Sequence, residues 1–133
     1  MCMIDTADGL SIALHEEHRT ARKEHRCTEC RRMIQPGEQY LNEGTLFEGR
    51  IDTFKTCSHC QVVRQWLTKE CGGWCYSGLP EDIQAHAQDG WYGKGVAMLA
   101  AGISRQWTKR NGELWRIPSL PKTTHERTTP GGP

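Results

Sequence analysis

The 133-residue chain lacks a long hydrophobic run: its longest, Gly95 to Ile103, covers nine residues, whereas a helix crossing a bilayer needs ~20. A helical membrane span is therefore not expected. Aliphatic side chains are scarce as well. Leu, Ile, Val and Phe together number 21, only two of them Phe, which is a thin supply for a conventional core. An excess of charge of one sign is missing too, since 17 Lys and Arg face 16 Asp and Glu. That balance argues against a charge-expanded disordered chain and against a generic, strongly basic polyanion binder. The sequence also has no Gly-rich phosphate loop, no HExxH helix and no Ser/His/Asp order that spacing supports, so an enzyme is the weakest class. The opening Met1-Cys2-Met3-Ile4-Asp5 has neither a basic start nor an apolar stretch. No secretory signal is expected, and the seven cysteines are placed in a reducing cytoplasm, where paired thiols more often serve metals or redox chemistry than disulfides.

Cysteine is the residue the chain has in quantity. Cys27-Thr28-Glu29-Cys30 and Cys57-Ser58-His59-Cys60 are two C-x-x-C pairs separated by 26 residues. Two-residue spacing lets both sulfurs of a pair reach one ion at ~2.3 Å, and two pairs close a tetrahedron with no position left for water. One structural zinc per chain, held by Cys27, Cys30, Cys57 and Cys60, is the expected cofactor, and its binding energy would complete the lean core. Iron also suits four thiolates. A redox dithiol would call for a βαβ pattern, which is missing. Cys2, Cys71 and Cys75 are left over. A second site combining them with His86 is less favoured than buried free thiols at Cys71 and Cys75. His59 is expected beside the metal rather than on it, and His25 is an available substitute ligand.

The turn and periodicity signals predict an α+β chain. Leu10 to Leu14 reads as one short strand, and the charged stretch His15 to Arg26 as exposed surface or a solvated edge strand. Pro36-Gly37, Asn42-Glu43-Gly44 and Glu48-Gly49 are turn signals, and Ile51 to Thr56 alternates as a strand, which together mark a hairpin region. From Cys57 the apolar spacing becomes helical through Cys60, Val63, Trp66 and Leu67, ending at Gly72-Gly73. Pro80-Glu81-Asp82 opens a helix that closes at Asp89-Gly90. Val96, Leu99, Ala100, Ile103 and Trp107 outline another, and Asn111-Gly112 is a hairpin turn before Leu114 to Ile117. The expected organisation is a zinc-binding region over 1–72 with an N-terminal strand, a Trp-rich helical appendage and hairpin over 73–117, and a disordered tail over 118–133.

The order of knuckle, hairpin and helix resembles a small treble-clef zinc finger. The stretch Cys27-x-x-Cys30-x-x-x-Ile34-x-Pro36-Gly37-Glu38-x-Tyr40 is similar to the knuckle of LIM-type and poly(ADP-ribose) polymerase-type fingers. The polymerase type closes its site with His-x-x-Cys, where this chain has Cys57-x-x-Cys60. Over most of the chain, Met1 to Asp5, Arg22-Lys23-Glu24-His25-Arg26-Cys27, Thr56 to Val62 and Glu70-Cys71-Gly72-Gly73-Trp74 resemble small four-cysteine zinc-binding proteins of unassigned function encoded by tailed phages and prophages. That resemblance implies a phage accessory protein in the cytoplasm of a bacterial host. It supplies no activity.

Two functional readings follow. In the first, the chain is a zinc-stabilised accessory protein acting as a protein-binding module on a host enzyme or defence complex, with Trp74, Trp91, Tyr92 and Trp115 as contact residues because aromatics are enriched at interface hot spots. The same aromatics could instead be core. In the second, Arg22, Arg26, Arg31 and Arg32, with Arg19 and Lys23 nearby, form a nucleic-acid-binding face. A structural role competes here, because four thiolates around zinc carry a negative charge that neighbouring Arg side chains offset. Loading such a site lowers the net charge from +1 to about −1, which favours a protein partner. A second basic group comprises Arg105, Lys109, Arg110 and Arg116. A metal-dependent nuclease is the least favoured reading, since a closed four-thiolate site offers no open coordination position.

Overall fold

The computed structural model describes residues 12–121. The expectations that concern Cys2 and residues 122–133 lie outside that range. Five strands come first and three helices follow: β1 (Ile12–Thr20), β2 (His25–Arg26), β3 (Met33–Ile34), β4 (Gln39–Phe47), β5 (Arg50–Cys57), α1 (Ser58–Cys71), α2 (Leu79–Asp89) and α3 (Lys94–Ser104). The class is α+β, as the sequence implies. An antiparallel sheet runs in the order β1-β4-β5, and β2 pairs with β3 in a two-residue ladder. Among the described residues no helix is long and apolar enough to cross a membrane.

The β4–β5 hairpin turns at Glu48 and Gly49, whose φ angles of 51° and 78° are both left-handed. That is the two-residue turn whose twist matches a right-twisted hairpin. The turn expected at Asn42-Glu43-Gly44 is a correction: these residues lie in the middle of β4, the central strand, where Asn42 pairs with both Glu17 and Lys55. Polar and small residues are tolerated there because each has a partner. Asn42 Nδ2 lies 3.2 Å from His15 Nε2, Glu43 meets Arg64 at 3.0 Å, and Gly44 leaves room for the His15 ring to lie against the backbone. The first strand continues through His15 to Thr20, the edge-strand alternative for the first part of the charged stretch. It is an edge strand with exposed charged side chains, a composition that discourages pairing with other chains.

Helix α1 buries Val62, Val63, Trp66 and Leu67 on one face and ends at Gly72, whose left-handed φ of 82° lets its N–H bond back to Thr68 O. Helix α2 has Pro80 in its first turn, with Glu81 and Asp82 at the positive end of the dipole, and ends on Gly90. In α3 the expected apolar stripe, Val96, Leu99, Ala100 and Ile103, is buried. Trp107 is not on that helix. The chain turns through left-handed Gln106 and Trp107 (φ 55° and 57°), and the indole folds back over Gly102. A Cβ at Gly102 would overlap the Trp107 ring. Gly102→Ala is therefore expected to destabilise the protein by about 1–3 kcal/mol through overpacking, although helix propensity alone would favour Ala by ~1 kcal/mol. Urea unfolding that gave a more stable variant would contradict this packing.

One continuous buried cluster joins Ala21, Ile34 and Tyr40 to the four paired cysteines, then to Trp66, Leu79, Ile83, Val96, Leu99 and Trp107. The scarcity of aliphatics is thus offset by sulfur and indole. Arg64 of α1 ties this cluster to the sheet. Its Nη1 is 3.0 Å from Glu43, its Nη2 donates to Thr56 Oγ1 at 3.0 Å, and its guanidinium lies 3.7 Å from the centre of the Trp74 ring. Tyr76 donates to Glu43 at 3.0 Å and stacks on Phe54. Burial and the Glu43 carboxylate push the Tyr76 phenol up, well above its ordinary value. Pro121, in the stretch expected to begin the tail, lies against Gly95.

Candidate metal centre

The first cysteine pair sits on the turn between β2 and β3. Cys27 N–H bonds to Arg32 O at 2.9 Å, Arg31 N–H bonds to Cys27 O at 3.1 Å, and Arg31 takes a left-handed φ of 71°. This knuckle aims both sulfurs inward. Cys57 is the last residue of β5 and the N-cap of α1, and Cys60 lies in the helix's first turn. The antiparallel hairpin carries the chain out and back, so the second pair returns beside the first.

All four sulfurs lie within 4.8 Å of one another and all four residues are buried. Cys27 and Cys60 are 3.8 Å apart, Cys30 and Cys57 3.9 Å. A tetrahedron with ~2.3 Å metal–sulfur bonds has edges of ~3.8 Å, whereas a disulfide needs ~2.05 Å. The cluster is therefore spaced to hold one metal ion, and the four thiols are free of disulfides. Without a cation such a buried group ionises one thiol at the expense of its neighbours. Hydrogen bonds from Cys30, Cys57 and Cys60 hold Cys27 well down, the Cys27 and Cys30 contacts push Cys57 up, and burial pushes Cys60 up. A divalent cation reverses that order by displacing the protons.

The surroundings of the sulfurs are polar in a selective way. Cys57 N–H points at Cys27 Sγ (3.5 Å) and Trp107 Nε1 at Cys60 Sγ (3.4 Å). Arg32, buried, forks onto both Glu38 oxygens at 2.7 and 3.0 Å and reaches His59 Nδ1 at 3.3 Å. Burial disfavours its charge, but Glu38 and the Cys57 and Cys30 sulfurs more than offset that and leave it firmly protonated. Because a guanidinium only donates, His59 Nδ1 accepts, and Nε2–H donates to Trp115 O at 2.6 Å. His59 is thus beside the metal position and not on it, as expected. His25 also stays off the cluster, with its ring 5.0 Å from that of Tyr40. Glu29, between two ligands, is 4% exposed and accepts from Ser77 N–H (2.8 Å) and Leu79 N–H (3.2 Å) at the start of α2. Burial pushes its carboxyl up, against the pull of those two bonds.

No family model, curated protein or solved structure matches the chain. Its reading rests on its own residues.

The four proposed contact aromatics are not brought together. Trp74 lies under Arg64, Tyr92 packs edge-on against Trp66, and Trp91 is exposed in the α2–α3 connection. Trp115 packs on Trp107 and lines a surface groove of about 320 Å³ with Met98, Ile117 and Pro118, rimmed by Lys109 and Arg116. The basic face is divided as well. Arg22 lines one cleft, and Arg26, Arg31 and Arg32 line another, where Arg32 is also paired with Glu38. Among the remaining cysteines, Cys75 is exposed rather than buried. Cys71 is half-buried and disulfide-bonded, so it is not the free thiol expected, and His86 Nε2 lies 3.0 Å from its sulfur. Glu29 as a cap for α2 carried no sequence signal. Met98 did carry one: it is an apolar residue off the buried stripe of α3.

Proposed function

We propose that the chain is a zinc-stabilised protein-binding module, with Cys27, Cys30, Cys57 and Cys60 as the zinc ligands. What supports zinc is the all-sulfur donor set at tetrahedral spacing, buried and closed, which is the pattern of structural rather than catalytic sites. When bound, the ion supplies folding energy and no chemistry. Its −2 complex is offset by Arg32 and by the two N–H groups aimed at sulfur.

The observation that carries the binding reading is the groove between α3 and the chain that follows it. Met98 and Ile117 are 59% and 58% exposed beside the half-buried Trp115, and the closed metal centre gives them no role. Apolar side chains grouped around an indole with a basic rim suit an extended partner segment with apolar anchors flanked by carboxylates. Lys109 and Arg116 line the groove, and Arg105 and Arg110 are exposed nearby in sequence. In the phage accessory setting, that segment would belong to a host enzyme or defence complex in the bacterial cytoplasm. The reading through Arg22, Arg26, Arg31 and Arg32 as one nucleic-acid face is not favoured, because Arg22 lines a separate cleft and Arg32 is engaged by Glu38.

The test is affinity capture from bacterial lysate with the wild-type chain and with Met98→Asp/Ile117→Asp. The exposed variant should keep its metal content and circular dichroism, and should lose the captured partner or at least tenfold in affinity for it, a change of ~1.4 kcal/mol. Identical recovery by both proteins would overturn the assignment to this groove.

A further inference from the structure

We infer that the cleft at the β1–β2 turn binds the phosphate groups of a nucleotide or a single-stranded nucleic acid. This site is separate from the Met98–Trp115 groove and independent of it. The cleft, about 950 Å³, is lined by Arg19, Thr20, Arg22, Lys23, His25 and Tyr40. That volume suits a ligand larger than a single inorganic anion.

The chain builds the cleft from a bend at the end of the edge strand. Ala21 fixes the bend, with its N–H bonded to Glu38 O and its C=O accepting from Gly37 N–H. Arg22 and Lys23 stand exposed on it, and His25 begins the next strand. The Tyr40 side chain, 4% exposed, also lines the cleft, with its ring 5.0 Å from that of His25. None of the described lining residues is acidic, although Glu24 is exposed next to Lys23 on the same bend. Arg19 is paired with Glu17 at 2.7 Å, but Arg22 and Lys23 have no ion-pair partner among the described residues. Lys55 adds its charge near His25. Several cations thus converge on one concavity that His25 and Tyr40 also line, in a chain whose overall charge is close to neutral. A concave site of one sign focuses field and concentrates counter-ions. Arginine, lysine and a hydroxyl are the groups that take phosphate oxygens, and the half-buried His25 ring is the aromatic face exposed to a planar base attached to them.

The same placement explains why these residues, and not the whole run from Arg22 to Arg32, make the site. Arg26 donates to Arg31 O and faces a second cleft that also contains Glu38. Arg26 and Arg32 therefore have side-chain partners, while Arg22 and Lys23 at the bend have no ion-pair partner among the described residues.

The experiment uses the full metal-bound chain and three probes: a fluorescein-labelled 12-residue oligothymidylate by anisotropy, and ATP and inorganic tripolyphosphate by calorimetry, all at low salt. At least one probe should bind. Arg22→Glu/Lys23→Glu should weaken it at least tenfold and, for the oligonucleotide, lower the salt slope by ~1.4, as expected for two lost phosphate contacts on a single strand. Arg26→Glu/Arg31→Glu, which changes net charge equally, should weaken binding less than threefold. Tighter binding of the oligonucleotide than of ATP assigns the phosphates to a strand, and the reverse assigns them to a free nucleotide. Failure of all three probes, or equal losses in the two variants, would overturn the site.

Discussion

Removing the metal is expected to unfold both the sheet and the helices in one transition. The free energy of structural zinc binding by four ligands is about 10–16 kcal/mol at neutral pH, and a whole domain is stable by about 5–15 kcal/mol. With aliphatics so few, a metal-loaded thiolate centre would be the largest single stabilising contribution. Three links carry its loss to the C-terminal part: Glu29 caps α2, His59 holds Trp115 O, and Trp107 donates to Cys60. A chelator titration followed by far-ultraviolet circular dichroism and tryptophan fluorescence should give coincident curves. Helical signal from α2 and α3 that survived metal removal would show that the two parts fold apart. Acid should act in the same direction. Cys57 and Cys60 hold their protons above the ordinary thiol range in the metal-free cluster, so binding releases protons, and affinity falls as pH falls.

Arg64→Ala is expected to cost about 3–5 kcal/mol, the loss seen when one partner of a buried ion pair is removed. The Arg64 and Glu43 side chains are only 10% and 8% exposed, so truncation leaves a carboxylate buried without its cation. It also removes the Thr56 hydrogen bond and the guanidinium over Trp74. Replacing both partners, as Arg64→Met/Glu43→Gln, should recover most of that loss, because no unpaired charge remains and Tyr76 keeps an acceptor. Denaturant unfolding at saturating metal measures both. A loss below ~1 kcal/mol for Arg64→Ala would place the pair with exposed salt bridges instead.

The cysteine spacing makes the four-thiol cluster legible in the sequence, because C-x-x-C pairs encode a geometry that depends little on tertiary context. Helix ends were equally readable where Gly72 and Gly90 supply a left-handed residue. The sequence misled where tertiary partners override local signals. Asn42-Glu43-Gly44 has turn composition, yet His15 and Arg64 satisfy it within a central strand. Trp107 fits the helical spacing of α3, but the sulfur acceptor at Cys60 and the opening at Gly102 draw it out of the helix. The run of Arg residues looked like one face because sequence distance was short. The bend at Ala21 sets Arg22 on one cleft, while Arg26, Arg31 and Arg32 share another across the two-residue ladder.

On the proposed reading, Cys27, Cys30, Cys57 and Cys60 together hold one zinc ion. The decisive measurement is X-ray absorption at the zinc edge on the purified full chain, with metal content measured on the same sample. About one zinc per chain is expected, with a shell of four sulfurs at ~2.3 Å. A folded protein without metal, or a zinc shell containing nitrogen or oxygen ligands, would contradict it.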